Sequence, residues 1–435
     1  MSQTQATPPP LLPRQLAVLS SIAVVIGLLA GLAASVFIRV EHDLTDFLWE
    51  TVPEWLGAES APGWWVFVVL LTGALAVYGA LQLPGKGGHA PLTGFAFDIG
   101  PRQIGSVFLA SLATLSIGAV LGPEAPLIAI GTAVGAAAIR KKDSPLQRVM
   151  MVAGGVAAIG AIFGNPLITS MLLLEMAVVA GGAVASMSVL LPGLAAMASS
   201  YVLQIGIADW SGLGTAKLTI DGLPTYESLT VVDLLMAIPV AIVVGMLAIG
   251  TRVLGERVQR FGKVRPLPTI LVAATAVAGL AVGARALTGE EIDTVVFSGQ
   301  GSMGVYLELT SMSTVLVLLV AKTLAYSASL GGGFRGGPIF PIIAVGVLVA
   351  VLASLLVDGT SSAGLAATAT AAATAAAIRF PFMGVLLAVL LIGPSGSSIV
   401  VLAILGAIIG LIMRLALDRF DPTSAASKIA PEVKK

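Results

Sequence analysis

The 435-residue chain contains no cysteine, which excludes disulfides and thiolate metal sites. Its two histidines, His42 and His89, and the lack of a His-Glu-x-x-His signature leave no metalloenzyme pattern. An intramembrane enzyme would need a nucleophile–base pair or a metal cluster at depth, so enzymatic chemistry is not expected, nor is a metal or cofactor. Charge is scarce as well: 11% of residues are charged and the net charge is zero. No basic face therefore offers itself to nucleic acid or to an anionic membrane surface. The start, MSQTQATPPPLLPRQ, is a polar, proline-rich arm with no clear cleavage site after it, so a removed signal peptide is not expected. The segment after Arg414 is too short for a folded cytoplasmic domain.

Hydrophobic residues make up 57% of the chain. Segments near 16–40, 64–83, 183–207, 229–250, 268–288, 312–333 and 397–413 are long enough, or nearly so, to cross ~30 Å of hydrocarbon as helix. The other apolar stretches are broken by Gly-Pro or Asn-Pro, which predicts further half-length or tilted helices. Loop charges set the orientation. Glu41, Asp43, Asp46, Glu50, Glu54 and Glu59 make 41–60 acidic, and Asp209, Asp221, Glu227 and Asp233 dominate 209–233. The 140–148 segment (RKKDSPLQR) is basic, and 251–265 carries Arg252, Arg257, Arg260, Lys263 and Arg265. The positive-inside rule puts both termini and the basic loops in the cytoplasm.

Two ten-residue segments are near copies, GPEAPLIAIG at 122–131 and GPIFPIIAVG at 337–346. Their offset of 215 also carries Pro166 onto Pro381, and the apolar segment from Leu16 onto one near Val231. An offset held in three places indicates duplication. The acidic loop after the first span has a basic counterpart in the second copy, so the copies lie upside down relative to each other. The expected organisation is a cytoplasmic arm (1–15), a first membrane repeat (16–208), an external linker (209–228), a second repeat (229–417) and a short tail (418–435). The fold class is an all-α polytopic membrane protein whose inverted repeats bring broken helices together at mid-membrane.

Between Arg102 and Arg140 the only charged side chain is Glu124, two residues past Gly122 and just after a Gly-Pro break. Proline suits the first helical turn, where its missing N–H would be unpaired anyway. Free backbone N–H groups and the positive dipole end then make an anion site. Gly336–Pro341 builds a matching helix start from the other side. Glu124 can compete with a permeating anion for those groups, as gate and proton carrier, or it can be a dipole-stabilised helix-terminal acid. Glu175 is the only charge between Arg148 and Asp209; it either relays protons from a water-filled cavity or is a snorkelling or helix-paired acid. Arg335 either draws anions to a cavity mouth or snorkels. Arg379 is expected on helix C-terminal carbonyls, and His89 either donates to an anion or caps a helix. Tyr201, Tyr306 and Tyr326 read as packing or interfacial residues. The small-residue run at 363–377 reads as a tight helix interface.

These motifs resemble the CLC chloride channels and chloride/proton antiporters over about residues 16–415. GAVLGPEAPLIAIG is similar to the gating-glutamate motif, GGGFRGGPIFP to the second helix-start motif, and FGNPLITSMLLLE and IRFPFMGVLLAVLL to the segments that follow each. The resemblance implies a homodimer in a prokaryotic plasma membrane with one anion pathway per subunit and Glu124 as gate. Gly122, Ala125, Ile339 and Phe340 then fall at the anion, with the last two supplying N–H groups. Gly87-Gly88-His89-Ala90-Pro91 stands where the family has Gly-Ser-Gly-Ile-Pro, so Gly88 and His89 take the place of the serine site. Pro338 lacks an N–H where the family has one. Met176 falls where antiporters carry a proton-transfer glutamate, and the tail lacks the inner-gate tyrosine. Chloride or a similar small anion is the expected substrate, by channel or proton-coupled exchange. A fluoride-type exporter and an inverted-repeat transporter of another solute are the alternatives.

Overall fold

The structure is a computed structural model that describes residues 12–139, 141–142, 144–180, 187–211, 226, 228–392 and 398–420. The arm up to residue 11, Arg140, Asp221, Glu227, the side chain of Asp209 and the tail beyond 420 lie outside the described residues. In the first half the helices are α1 (Pro13–Asp46), α2 (Val52–Trp55), α3 (Gly63–Ala80), α4 (Ile104–Ser116), α5 (Glu124–Ala138), α6 (Pro145–Phe163), α7 (Pro166–Ala180) and α8 (Met187–Ser211). The second half holds α9 (Val231–Val264), α10 (Pro266–Thr288), α11 (Met303–Glu308), α12 (Met312–Gly331), α13 (Ile339–Leu356), α14 (Ser362–Ile378), α15 (Pro381–Leu391) and α16 (Ser398–Phe420).

Local chemistry fixes many of these boundaries. The hydroxyls of Ser144, Thr230, Ser311 and Ser361 accept from a backbone N–H three residues on and start α6, α9, α12 and α14. Proline opens α1, α6, α10 and α15 in the first turn. Nine helices among the described residues are long and apolar enough to cross a membrane. They include the expected spans and also α6 and α13, whose own sequences contain no interior break. By contrast α4, α5, α7, α14 and α15 are shorter apolar helices.

Packing repeats as the sequence does. The first residues of α5 and α13, and of α7 and α15, are offset by 215. In one half α1 packs on α6 and α8 and α5 on α6; in the other α9 packs on α14 and α16 and α13 on α14. The 363–377 run forms most of α14, and its alanines are buried almost throughout.

Three sequence expectations change here. The acidic 41–60 segment is mostly helix: α1 continues through a wide turn at Phe47–Thr51 into α2. Aromatic anchors hold it there, with Trp65 Nε1 donating to Leu48 O (2.8 Å) and Trp49 Nε1 to Ser116 O (2.9 Å). Likewise 251–264 is the charged end of α9 and not a loop. Asp233 is fully buried, accepting from Tyr226, Thr230 and the Ser361 N–H. It ties the start of α9 to the start of α14 instead of charging an outer loop.

Candidate functional site

Two non-helical connections, 117–123 and 332–338, enter the centre of the fold from opposite repeats. They meet in a reciprocal pair: Gly122 N donates to Gly337 O (2.8 Å) and Gly337 N to Gly122 O (2.5 Å). Gly122 and Gly337 are repeat equivalents, so the pseudo-two-fold axis runs between them. From this bridge α5 and α13 lead away, and Glu124, fully buried, reaches across it. Phe340 N donates to Glu124 Oε1 at 3.0 Å, with Ile339 beside it as the first residue of the same helix. An acid of one repeat thus sits at the helix start of the other. Partial positive charge at the N-terminus of α13 favours that placement. Glu124 Oε2 has no partner.

The glycines are required by this arrangement. A Cβ at Gly122 or Gly337 would fall onto the Glu124 carboxylate. Sequence reasoning located the two breaks; the direct contact between them depends on tertiary placement.

Cavities approach from both ends. One of about 490 Å³ is walled by Arg252, Arg379, Arg414, Glu256 and Asp418 and reaches Pro338 and Tyr326. It shares its end of the molecule with the basic segment of α9. Tyr326 is buried and donates to Pro338 O (3.0 Å), so it packs at the entrance to the helix start and is not an interfacial ring. Tyr306 is buried too, its hydroxyl donating to Thr294 O, while Tyr201 is half-buried. A second cavity, about 1220 Å³, lies at the acidic end and is lined in part by Phe297–Gln300.

The remaining candidates separate from this centre. Ala125 and His89 line a small void beside α5 together with Arg335. His89 Nε2 lies 2.6 Å from Asp98, so it pairs with a loop carboxylate and caps no helix. Gly88 faces Val107 and Ile99. The Arg335 guanidinium donates to Gly333 O, Phe334 O and Lys86 O, bracing two loops. Arg379 does not bond helix carbonyls. It pairs with Asp418 (2.5 Å), which also holds Arg414 (3.2 Å). Removing Asp418 would strand two guanidinium groups, so Asp418→Ala should cost about 3–5 kcal/mol, read as a fall in unfolding temperature in detergent.

Glu175 lies apart from Glu124. Its oxygens accept from Phe382 N and Met383 N, each at 2.8 Å, and cap the start of α15. The pattern matches that at Glu124: a first-repeat acid on a second-repeat helix start. Glu175→Ala should lower stability by about 2–4 kcal/mol, from two charge-assisted bonds, with Glu175→Gln losing roughly half of that. Thermal unfolding of purified protein checks it.

Lys322, fully buried in the middle of α12, received no functional reading from the sequence. The signal was available, because Lys322 is the only charge between Glu308 and Arg335.

The voltage gated chloride channel family description matches residues 89–414. The chain is 26% identical over 356 residues to YfeO of Escherichia coli (strain SE11), a protein named for ion transport, covering 78% of this chain and 79% of that one. Its structure is similar to that of a slow cyanobacterial chloride/proton antiporter, with a TM-score of 0.72, 18% identity and coverage of 94% and 95%. It is also similar to a CLC-type fluoride/proton antiporter, with a TM-score of 0.69, 20% identity and coverage of 92% and 96%. With three quarters of its length matched and its inverted, broken-helix architecture shared, the chain belongs to the voltage gated chloride channel (CLC) family of anion-transport proteins, and it is an integral membrane protein.

Proposed function

We propose that this protein moves chloride or a similar small inorganic anion across a prokaryotic plasma membrane, along a path that Glu124 opens and closes. The observation that carries the reading is the 3.0 Å bond from Phe340 N to the Glu124 carboxylate, made across the repeat boundary. Those amides suit a small anion. Protonation, or displacement by the anion itself, frees the carboxylate, and the anion takes its place on Ile339 and Phe340. Binding through backbone N–H groups and a helix dipole of ~0.3–1 kcal/mol when exposed, more when partly buried, is weak enough for release. Gly122 closes the other side of the carboxylate, and Ala125 starts the helix that carries it.

The working unit in this reading is a homodimer with both termini cytoplasmic and the repeats spanning 16–208 and 229–417. Glu175 belongs to the scaffold here, because both its oxygens are taken by α15. A fluoride-type exporter is the second reading. Pro338 brings no N–H to the helix start and Gly88 brings no hydroxyl, which leaves a smaller ligand set than the family resemblance implies.

The test is ion-specific efflux from reconstituted vesicles for chloride, fluoride and nitrate, with proton movement recorded alongside. Chloride efflux with opposed proton flow makes the protein an exchanger, and chloride efflux without it makes a channel. Fluoride alone selects the second reading, and no flux of any anion overturns both.

A further inference from the structure

We propose that the Lys322 ammonium is the outer anion-holding group of this pathway, where an inorganic anion rests on the far side of Glu124 from the arginine-lined cavity. The inference rests on the transport reading above and adds a site to it.

Lys322 is an expensive residue at its position. It is fully buried in an apolar spanning helix, where an ionisable group is costly unless something uses it. Its Nζ donates to Val296 O (2.9 Å) and Phe297 O (3.2 Å), which employs two of the three ammonium donors. No carboxylate among the described residues forms an ion pair with it: Asp293 is felt electrostatically without making contact. Two neutral carbonyls could be held by a neutral donor, so bracing the loop gives no reason for a full charge. An anion would take the third donor, which Asp293, making no ion pair with the amine, leaves open.

Position supports the same assignment. Gly299, with φ +82°, lies directly on the amine: a Cβ there would sit 3.1 Å from Lys322 Nζ and 2.6 Å from Ala344 Cβ. Ala344 follows Ile339 by five residues on α13, so it lies roughly 7.5 Å along the helix axis from the helix start at Glu124, and the amine neighbours that turn through Gly299. The loop covering it, Phe297–Gln300, lines part of the 1220 Å³ cavity. Phe297 itself holds φ +62°, a conformation that bulky residues rarely adopt. Its N–H donates to Gly118 O and its ring meets Trp49 at 5.3 Å, so the same loop touches the strand of chain that leads to Gly122. The cavity above carries Glu41, Asp46, Glu50, Glu54 and Asp293 against Arg285. An anion entering through that wall meets repulsion, and Lys322 is the cation behind the loop that offsets it.

The experiment is chloride titration by isothermal calorimetry of the purified full chain in detergent, for wild type, Lys322→Gln and Lys322→Arg. Glutamine keeps donors for the carbonyls without the charge; arginine keeps both. The expected result is an affinity weaker by about tenfold for the glutamine variant and near wild type for the arginine variant, since the charge-assisted contact is lost only in the first. Wild-type affinity in Lys322→Gln overturns the assignment while leaving the transport reading intact. A wild-type protein that binds no chloride, fluoride or nitrate overturns both. If Lys322→Gln does not purify as a single species, Ser298→Asp, on the loop that bonds the amine and lines the outer cavity, adds a carboxylate beside the anion's approach. Weaker binding by that variant supports the site, and unchanged binding overturns it.

Discussion

Vesicles carrying Glu124→Gln protein should release chloride at least about tenfold faster than wild type at neutral pH, and their flux should no longer depend on pH. A carboxylate on backbone N–H groups makes charge-assisted bonds of about 1.5–3 kcal/mol each. The glutamine oxygen accepts the same bonds at roughly half that strength. A difference of about 1.4 kcal/mol already shifts the competition between side chain and permeating anion tenfold. In wild type the same change comes from protonation, so wild-type flux rises as pH falls while the variant stays high throughout. Any proton movement coupled to chloride should disappear with the variant, because its amide carries no exchangeable charge. Efflux recorded with a chloride electrode across a pH series decides the matter. A Glu124→Gln profile that overlays wild type would remove Glu124 from the transport cycle.

Much of this arrangement was legible in the sequence because it is written as repetition. The 215-residue offset located both helix starts, and the lone charge at Glu124 marked which one carries the acid. The reciprocal pairing of Gly122 with Gly337 follows from that symmetry once the two starts are brought to one point. What the sequence hid were partners supplied from far along the chain. Glu175 has no local feature that announces its helix-start partners; they lie 207 and 208 residues away, at Phe382 N and Met383 N. Arg379 and Asp418 are similarly remote neighbours. The acidic 41–60 segment misled for a different reason. Its charges suit a loop, while Trp49 and Trp65 dock it as helix through bonds that no periodicity reveals. Lys322 was overlooked because a long apolar helix tolerates one charge in a hydropathy window.

A double-mutant cycle at the glycine bridge separates two reasons for having glycine there. The atoms nearest a Cβ on Gly122 are the carboxylate atoms of Glu124, so Gly122→Ala alone should displace that side chain and change chloride flux by at least about tenfold, within the coupling expected of residues in contact. In a Glu124→Ala background the obstacle is gone, and adding Gly122→Ala should alter flux little further. Gly337 differs in one respect. Its Cβ would meet the carboxylate and also the Glu124 Cβ, the latter at 3.0 Å, and alanine at 124 retains that atom. Gly337→Ala should therefore be rescued only in part by Glu124→Ala. Efflux rates for the three single and two double variants, set against wild type, measure both couplings. Full rescue at 122 with partial rescue at 337 means that the carboxylate sets the glycine requirement. Additive losses at both positions would mean that the bridge backbone sets it, with Glu124 fitted around a constraint already in place.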